Sequence, residues 1–560
     1  MEHSVVSAAP RKNQQPLQVV RPLITYRHPD LWGDFFLNYT PPQAQDTQLQ
    51  MEQELADLER EARKKLLDTN NNPKERIVFI DAVERLGVAY HFAEEIETIL
   101  QQFYDKYMEH SEFYQNDLHT VSLIFRILRQ HGFWVSSDVF EKFKGDDGCF
   151  KESIIKDVQG MLSLYEATFL GVKGEKILDE ALEFATTQLE SLVGILSEPQ
   201  ATEVTRALKK PLHVDIPRLV SRYYIDIYEG NPCHDKTLLR FAKIDFNLLQ
   251  LMHLKELQHL SRWWKCLDLP KRLPFARDRI VESYFWASGT FCEPQYALGR
   301  VICAQIVQIL TIHDDTYDTY GLFEELESYT KALHRWDKTC MDQLPDYMKL
   351  IYEALIDTFE GFVQDLAKEG RSHLVFYARE LFKAQCRSYY QEAKWLHDKY
   401  VPTYEEHMVA VGITTAGTAL LSATALLGIR EIAGEEPFKW ISQTPKLVKA
   451  SCVIGRLLND IVGCKNKNQI PSAVECFMAQ YDASEEKAIE ELYKKVEEAW
   501  KELNEEMLKS RNLPRQLLTV ILNLTRLAAV IYRFDVDEFT VSNQAMRSKI
   551  QALFIDPIPL

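Results

Sequence analysis

Glycine and proline are scarce in this chain of 560 residues, with 21 and 22 occurrences, against an average usage of about 7% and 5%. Because both residues interrupt helices, their scarcity favours long helices. The chain has 10 cysteines and no pair spaced Cys-x-x-Cys, which argues against a disulfide framework or a zinc ribbon and is typical of a reducing compartment. Acidic residues exceed basic ones, 82 to 65, for a net charge of −17. That excess disfavours a nucleic acid partner.

Several functional signatures are also missing. The chain contains no GxGxxG, no GxxxxGK[ST], no HExxH and no GxSxG, which argues against dinucleotide-binding, P-loop, zinc protease and α/β-hydrolase chemistry. The first 20 residues lack the apolar segment of about 7 to 15 residues that a secretory signal requires. They are also poor in arginine, unlike most transit peptides. We therefore expect a cytoplasmic protein.

One uncharged stretch, Ala410 to Ile429, has the length of a membrane span, about 20 residues. Eight of its residues are Thr, Ser or Gly, at positions 412, 414, 415, 417, 418, 422, 424 and 428. We therefore expect a buried helix and no membrane span, and no other stretch resembles one. A helix so rich in Gly and Thr is prone to kink, which would expose backbone carbonyls to whatever lies beside it.

The spacing of apolar residues predicts an all-α fold. They recur every three or four residues along segments such as Gln50–Asp68, Ser484–Leu508 and Pro514–Arg533, and no long run alternates as a strand would. A chain of this length is too long for one hydrophobic core. Gly, Asn, Pro and Asp concentrate near its middle, at Glu229–Lys236. We place a domain boundary there, between residues 1–232 and 233–560.

Carboxylates cluster in the C-terminal half at Asp314, Asp315 and Asp318. They follow an apolar segment of helical periodicity, Tyr296–Ile312, and precede Gly321, a residue type that ends helices. Positions 314 and 318 lie one turn apart and share a face. Three carboxylates at a helix C-terminus repel each other and oppose the helix dipole. Mg²⁺, which binds carboxylates together with substrate phosphates, would compensate; a solvated acidic helix end is the alternative.

Two arginines, Arg277 and Arg279, stand upstream on either side of Asp278. Such a pair can grip an anion in bidentate fashion, although surface salt-bridge clusters have the same pattern. Aromatic faces could line a cavity that holds a carbocation, with ordinary core packing as the alternative. The candidates are Tyr284, Phe285, Trp286, Tyr389, Tyr390, Trp395, Tyr532 and Phe539.

Together these motifs resemble those of plant sesquiterpene synthases. The likeness covers nearly the whole chain, in the order and spacing of that family. It is carried by HPDLWGDFF (28–36), LLRFAKIDFNLLQ (238–250), LPFARDR (273–279), FCEPQYALGR (291–300), DDTYD (314–318), RLLND (456–460) and SAVECFMAQY (472–481).

The resemblance implies a C-terminal class I catalytic domain and a relict N-terminal α-barrel domain. It implies farnesyl diphosphate as substrate, three Mg²⁺ ions for which Mn²⁺ can substitute, and a monomer. Implied metal ligands are Asp314, Asp318 and Asn459, with Asp315 and Gly463 (through a water) as further candidates. Implied diphosphate contacts are Arg277 and Arg456, with Asp314, Asp318 and Asn459 acting through the metal, while Arg279 steers the diphosphate away from the cation. Trp286, Tyr532 and Asp537 complete the implied catalytic set, with Phe539 in place of a final Tyr.

The N-terminal half has no Asp-x-Asp-Asp acid motif, so protonation-initiated cyclisation is not expected. Arg21, Pro22 and Trp32 resemble the family's segment over the closed pocket. Three alternatives remain: a chain-elongating prenyltransferase, which would carry a second DDxxD motif absent here, a plastid monoterpene synthase using geranyl diphosphate, and a catalytically silent paralogue.

The second metal motif departs from the family pattern, which runs Asn/Asp-Asp-x-x-Ser/Thr-x-x-x-Glu. Asn459 keeps the first position, but the fifth is Gly463 and the ninth is Lys467. A water could replace the missing hydroxyl at Gly463, whereas a lysine near a divalent ion is repelled. Either Lys467 swings away and water or an oxygen of Asn466 or Asn468 completes the shell, or its ammonium replaces one ion. We expect a working enzyme with a raised Mg²⁺ requirement.

Overall fold

The computed structural model describes residues 31–40, 45–68, 72–109, 117–432, 434–464, 471–533, 536–541 and 543–560. Helices dominate these residues, which confirms the predicted all-α fold. The helices of the N-terminal half are α1 (Phe35–Asn38), α2 (Gln45–Leu67), α3 (Pro73–Arg85), α4 (Ala93–Glu109), α5 (Leu118–Gln130), α6 (Val158–Thr168), α7 (Lys176–Leu192), α8 (Gln200–Lys209) and α9 (Pro217–Gly230).

The C-terminal half begins with the long helix α10. Its helices are α10 (Lys236–Leu267), α11 (Leu269–Arg272), α12 (Ile280–Thr290), α13 (Ala297–Asp315), α14 (Phe323–Arg335), α15 (Asp346–Ala367), α16 (Val375–Asp398), α17 (Tyr404–His407), α18 (Ile413–Thr415), α19 (Thr418–Leu427), α20 (Glu436–Ser442), α21 (Lys446–Gly463), α22 (Ala473–Tyr481), α23 (Glu485–Lys509), α24 (Arg515–Ile531), α25 (Glu538–Val541) and α26 (Gln544–Phe554). A two-stranded antiparallel ladder, β1 (Tyr532–Arg533) and β2 (Val536–Asp537), follows α24 and pairs Tyr532 with Asp537.

The predicted boundary coincides with a break between two helices. α9 ends at Gly230, and Asp235 caps the start of α10 by accepting a hydrogen bond from the backbone of Leu238 at 3.1 Å. The division of the chain into two domains there stays a prediction. The two halves are joined across this line by buried hydrogen bonds, since Asn504 on α23 bonds His213 at 2.8 Å and donates to the carbonyl of Phe169 at 2.9 Å.

A central group of helices in the C-terminal half surrounds the site. α13 packs against α12 and α19, and α24 packs against α12, α19 and α21. α16 covers α19 from the other side. Each helix buries apolar side chains on the face toward its neighbours. This packing brings the C-terminal ends of α13 and α21 to the same region.

Two helical stretches among the described residues are long and apolar enough to cross a membrane, Pro294–Tyr320 and Tyr404–Leu427. Their most apolar windows are 78% and 61% buried inside the protein, as in core helices. The buried helix predicted at 410–429 is therefore confirmed. The expectation that no stretch besides 410–429 resembles a membrane span was wrong, because Pro294–Tyr320 is also long and apolar enough.

Candidate functional site

The acidic cluster lies where α13 ends. The α-helix stops at Asp315 and continues as one wider π-helical turn, Thr316–Tyr320, before Gly321. Gly321 ends the helical segment, as predicted. The turn that separates Asp314 from Asp318 is therefore wider than a regular α-helical turn, and the two carboxylates remain close enough for Asp314 to act on the pKa of Asp318.

Arg277 is bound directly to this cluster. Its Nη2 donates to Asp314 Oδ2 and its Nε to Asp315 Oδ1, each at 2.7 Å. The backbone amide of Arg277 donates to the other oxygen of Asp315 at 2.7 Å. Both oxygens of Asp315 are thus used in holding Arg277, whereas Asp314 is 36% exposed. Asp315 anchors the arginine, and Asp314 presents an oxygen outward.

The cluster keeps an excess of negative charge. Burial raises the pKa of Asp315 to about 6, against the lowering effect of Arg277. Desolvation, and then the charges of Asp314 and Asp315, raise the pKa of Asp318; because Asp318 is exposed to solvent, the neighbouring charges are the better-founded cause. Carboxylates that raise each other's pKa favour either a proton or a cation between them. The donor set of Asp314 and Asp318 therefore fits a hard divalent cation.

Arg279 lies beside this site but faces the C-terminal segment. It is 1% exposed, and its guanidinium donates to the backbone carbonyls of Phe539 and Thr540, each at 3.0 Å. Its own amide donates to Gln308 at 3.0 Å. These contacts tie β2 and α25 to the start of α12. The role of Arg279 in steering a diphosphate stays a prediction.

The second half of the site is carried by α21. The Arg456 guanidinium contacts the side chains of Asn459 and Asp460, and its Nη1 lies 3.5 Å from Thr415 Oγ1. Asp460 is buried and accepts a hydrogen bond from the backbone amide of Ala473 at 2.9 Å. This contact joins α21 to the start of α22 and is structural. Gly463 is the last residue of α21, and a Cβ added there would meet no atom of the described residues within 4 Å.

A partly open cavity borders Arg456. Its volume is about 60 Å³, smaller than the range of about 300 to 1,000 Å³ typical of ligand pockets. The lining residues are Trp286, Thr415, Ala416, Thr418, Leu421, Ser451, Gly455, Arg456, Asn459, Leu524, Ala528 and Tyr532. Charged and amide groups thus lie at one end, and an apolar and aromatic wall lies at the other.

The kink predicted beside the cavity is present. A π-helical turn, Met408–Gly412, leads into α18, and the helix breaks at Gly417 before α19 begins. Gly417 has a φ of +77°, a backbone conformation that glycine adopts without penalty. The break places Thr415 and Ala416 in the cavity wall.

Two of the predicted aromatic residues, Trp286 and Tyr532, border the cavity, whereas among the described residues Tyr284, Phe285, Tyr389, Tyr390, Trp395 and Phe539 do not. The ring of Trp286 lies 6.5 Å from that of Tyr532 and 6.4 Å from that of Phe539. Asp537 accepts from the amides of Phe539 and Thr540 at 2.9 and 3.0 Å, which starts α25. Its observed contacts are therefore structural.

Two models of one protein family match the chain. The terpene synthase N-terminal domain matches residues 31–208, and the metal binding domain of the terpene synthase family matches residues 265–502. The chain belongs to the terpene synthase family. The predicted family resemblance is confirmed, and divalent metal binding belongs to the domain that contains this site.

Curated relatives of this terpene synthase span its full length. It is 43% identical to (−)-germacrene D synthase of Vitis vinifera, with 100% of both chains covered. It is 44% identical to valencene synthase of Vitis vinifera, over 97% of this chain and 98% of the relative. It is 43% identical to (+)-delta-cadinene synthase isozyme XC14 of Gossypium arboreum, over 95% of each.

Solved terpene synthases share the fold. Isoprene synthase from grey poplar, in complex with three Mg²⁺ ions and dimethylallyl-S-thiolodiphosphate, superposes with a TM-score of 0.86 at 32% identity, covering 92% of this chain and 98% of that one. Limonene synthase with 2-fluorolinalyl diphosphate gives a TM-score of 0.89 at 28% identity, covering 96% and 100%.

Glu392 is a site residue that sequence reasoning missed. It lies on α16 with Arg456, Asp314, Asp460 and Asp318 as its charged neighbours. Burial, and then Asp314 and Asp460, raise the pKa of Glu392 to about 8 against the opposing charge of Arg456. No local motif marks it, because α16 is distant along the chain from both acidic segments. In the sequence, a single glutamate within a helical segment is indistinguishable from an ordinary solvent-exposed residue.

Five of the residues singled out in the sequence cannot be compared with the fold. They lie outside the described residues and are Arg21, Pro22, Asn466, Lys467 and Asn468. Trp32 is described and buried, with its ring 5.1 Å from Phe36 and 5.6 Å from the Arg547 guanidinium. Trp32 does not border the cavity in the described part of the chain.

We expect Glu392 to make the stability of the metal-free protein depend on pH. Its folded-state pKa of about 8 lies above the ordinary value of 4.5, so the folded state holds a proton that the unfolded state has lost. The free energy of unfolding should therefore fall as pH rises from about 4.5 to about 8. Glu392→Gln should flatten this slope in urea titrations with EDTA present. Glu353→Gln, an exposed glutamate on α15, should leave it unchanged; equal slopes in both variants would contradict the assignment.

Proposed function

We propose that this terpene synthase is a sesquiterpene synthase, which ionises farnesyl diphosphate, cyclises the allylic cation to a hydrocarbon and releases diphosphate. The observation that carries the proposal is one cavity with Arg456 and Asn459 at its polar end and an apolar, aromatic wall beyond. The acidic cluster bound to Arg277 lies near that polar end, since Tyr532 on the cavity wall has Asp314, Arg277 and Arg456 among its charged neighbours. Relatives named as sesquiterpene synthases, at 44% identity from Toona sinensis and 42% from Santalum austrocaledonicum, support the substrate class.

The two arginines supply positive charge to the leaving diphosphate. Nearby carboxylates raise the pKa of both Arg277 and Arg456 above their ordinary values although burial acts against this, so both side chains stay charged at any working pH. Negative charge develops on the bridging oxygen as its bond to carbon breaks, and fixed cations near it lower the barrier. Ionisation then needs no protein acid or base.

The carboxylates Asp314 and Asp318, with Asn459 and water at Gly463, would hold Mg²⁺. Three ions, for which Mn²⁺ could substitute, would neutralise the diphosphate when bound. Glu392, which shares the charged surroundings of Asp314 and Asp318, is a further candidate ligand.

The apolar wall keeps water from the cation. Leu421, Leu524 and Ala528 offer no hydrogen bonds to water, and the ring of Trp286 offers an electron-rich face. Water in the cavity would convert the cation to an alcohol, so exclusion of water favours loss of a proton and a hydrocarbon product. We also propose that the enzyme is a cytoplasmic monomer.

The direct test is incubation of the purified protein with Mg²⁺ and, separately, farnesyl or geranyl diphosphate, followed by mass spectrometry of the volatiles. We expect fifteen-carbon hydrocarbons from farnesyl diphosphate and no product with EDTA. A higher kcat/KM for geranyl diphosphate would indicate a monoterpene synthase. No product from folded protein with either substrate, at any Mg²⁺ concentration, would indicate a silent paralogue.

Gly463→Ser should lower the Mg²⁺ concentration that gives half the maximal rate. Among the described residues, none would have to move for a side chain at Gly463, and a serine hydroxyl can supply an oxygen that a water would otherwise provide. Gly463→Ala adds the Cβ without the oxygen and is the matched control. An equal effect of both substitutions would show that helix propensity, not a ligand, is responsible.

Lys467→Glu should lower the same Mg²⁺ requirement, because it replaces a cation that repels the metal with a carboxylate that binds it. Initial rates measured against Mg²⁺ test this. An unchanged requirement would place Lys467 outside the metal site.

A further inference from the structure

Two buried nitrogen atoms near the polar end of the cavity have no hydrogen-bond partner among the described residues. They are Nε of Arg456 on α21 and Nδ1 of His407 on α17. Arg456 directs its Nη2 to Asn459 and Asp460 and its Nη1 toward Thr415, so these contacts leave its Nε without an acceptor. An unpaired polar group costs free energy when it is buried. Both atoms therefore remain available to a partner of opposite hydrogen-bonding character.

The ring of His407 and the side chain of Arg456 approach each other across Gly412. A Cβ built on Gly412 would lie 3.5 Å from His407 Nδ1 and 3.4 Å from Arg456 Cγ. Nε is two bonds beyond Cγ in an arginine, so rotation about the bonds of the stem can bring Nε to Nδ1, directly or through one water. Because glycine has no Cβ, no side chain of residue 412 separates the two.

The fold fixes the position of the His407 ring. His407 is the last residue of α17, and the π turn Met408–Gly412 follows it. Hydrogen-bonded residues are five apart in a π-helix, so residue 412 lies over residue 407. The ring of Trp395 on α16 is inclined by 28° to the imidazole, with the ring centroids 6.4 Å apart. His407 is 2% exposed, so bulk solvent does not compete for Nδ1.

His407 is neutral at neutral pH. Burial lowers the pKa of His407 below its ordinary value of 6.5; Asp460 opposes this effect, Arg456 adds to it, and Glu475 opposes it. A neutral imidazole has one nitrogen that carries a proton and one that carries a lone pair. With the proton on Nε2, Nδ1 is an acceptor, which is the group that the Nε–H of Arg456 requires.

We propose that His407 is a positioning residue for the arginine that binds the diphosphate: its Nδ1 accepts a hydrogen bond from Nε of Arg456, directly or through one water. This inference rests on the proposed function and adds a residue that does not border the cavity in the described part of the chain. A guanidinium has five N–H donors in one rigid plane. When His407 holds Nε, the N–H groups of Nη1 and Nη2 are directed to the oxygens of the diphosphate.

The test is a double-mutant cycle of His407→Phe and Arg456→Ala, in which calorimetry measures the binding of inorganic diphosphate with Mg²⁺ present. His407→Phe keeps a flat ring and removes the acceptor, so it should weaken binding by at least about fivefold. In the Arg456→Ala background the same substitution should have almost no effect, because the partner of His407 is gone. Equal losses in both backgrounds would show that His407 only supports the fold, and the inference would be wrong.

Two further variants test the contact itself. His407→Asn should recover most of the affinity that His407→Phe loses, because an amide oxygen can take the place of Nδ1. Gly412→Ala changes neither partner but places a methyl group between them, so it should weaken binding as His407→Phe does. The matched controls are Gly361→Ala on α15, where a Cβ meets no described atom within 4 Å, and His373→Phe, whose side chain is 51% exposed. Both controls should bind diphosphate as the wild type does.

Steady-state kinetics with farnesyl diphosphate report the effect on the reaction. His407→Phe should lower kcat/KM by at least about tenfold and leave the product ratios unchanged, because the change acts on the diphosphate and not on the hydrocarbon. An active wild type in which His407→Phe alters the product ratios and keeps full diphosphate affinity would overturn the inference alone. A wild type that forms no product but shows the coupling between His407 and Arg456 would overturn the proposed function and leave the inference standing.

Discussion

Asp314→Ala is expected to lower kcat for farnesyl diphosphate by at least about 1,000-fold, which corresponds to about 4 kcal/mol of transition-state stabilisation. Asp314 is the carboxylate of its cluster whose side chain is 36% exposed at the site, while Asp315 uses both oxygens to hold Arg277. If Asp314 binds the metal as proposed, its loss removes that ligand without removing Asp315, the anchor of the arginine. Single-turnover and steady-state rates measure the effect.

The same variant should remain folded. The substitution removes the ion pair between Asp314 and Arg277. It also removes the repulsion by which Asp314 raises the pKa values of Asp315 and Asp318. We expect the free energy of unfolding to change by no more than about 1 kcal/mol, the range of exposed ion pairs. Asp357→Ala, an exposed aspartate paired with Lys338 on the surface, is the matched control and should keep full activity. Retention of more than about a tenth of the wild-type rate in Asp314→Ala would refute the metal assignment.

The two arginines of the Arg277-Asp278-Arg279 segment should behave differently when replaced by alanine. Arg277 lies on the acidic cluster, so Arg277→Ala should lower kcat/KM by at least about 100-fold through both slower ionisation and weaker diphosphate binding. Arg279 is buried and donates to two backbone carbonyls of the C-terminal segment. Arg279→Ala leaves these acceptors without those donors and should lower the free energy of unfolding by about 2 to 4 kcal/mol.

Thermal unfolding and steady-state kinetics on both variants distinguish the two roles. Arg430→Ala, an exposed arginine paired with Glu369, should match wild type in both measurements. If Arg277→Ala changed only the product mixture, Arg277 would be a residue that shapes the cavity. If Arg279→Ala were as stable as wild type and lost only diphosphate affinity, the steering role implied by the family resemblance would be correct.

Local patterns predicted the all-helical class, several of the helices and the candidate residues of the first half of the site. The periodicity of Gln50–Asp68, Ser484–Leu508 and Pro514–Arg533 matches α2, α23 and α24 to within a few residues. The acidic cluster and Arg277 were predicted as candidate site residues because each belongs to a short group of charged residues in the sequence, 314–318 and 277–279. The break near Gly417 was predicted because Gly and Thr disturb a helix wherever it lies.

Pairings between distant segments could not be predicted from such patterns. Arg277 binds Asp314 and Asp315, His407 approaches Arg456, and Glu392 joins the charged site only because separate helices pack together. A helical sequence specifies which residues share a face, but the neighbour of that face depends on how whole helices pack. The π turn at Thr316–Tyr320 was missed because no local pattern marks it; its Tyr317 packs against Tyr389 on α16 and hydrogen-bonds Thr330 on α14.

The sequence alone determined the all-α class, the helix break, and the presence of carboxylates and arginines suited to a metal and a diphosphate. These features depend on short-range spacing and on side-chain chemistry, which are fixed along the chain. The tertiary structure alone decided that Asp315 and Arg279 anchor neighbouring segments, that Glu392 belongs to the charged site, and that His407 lies beside Arg456. These roles depend on which buried faces meet, since burial sets both the partners and the pKa values of polar groups.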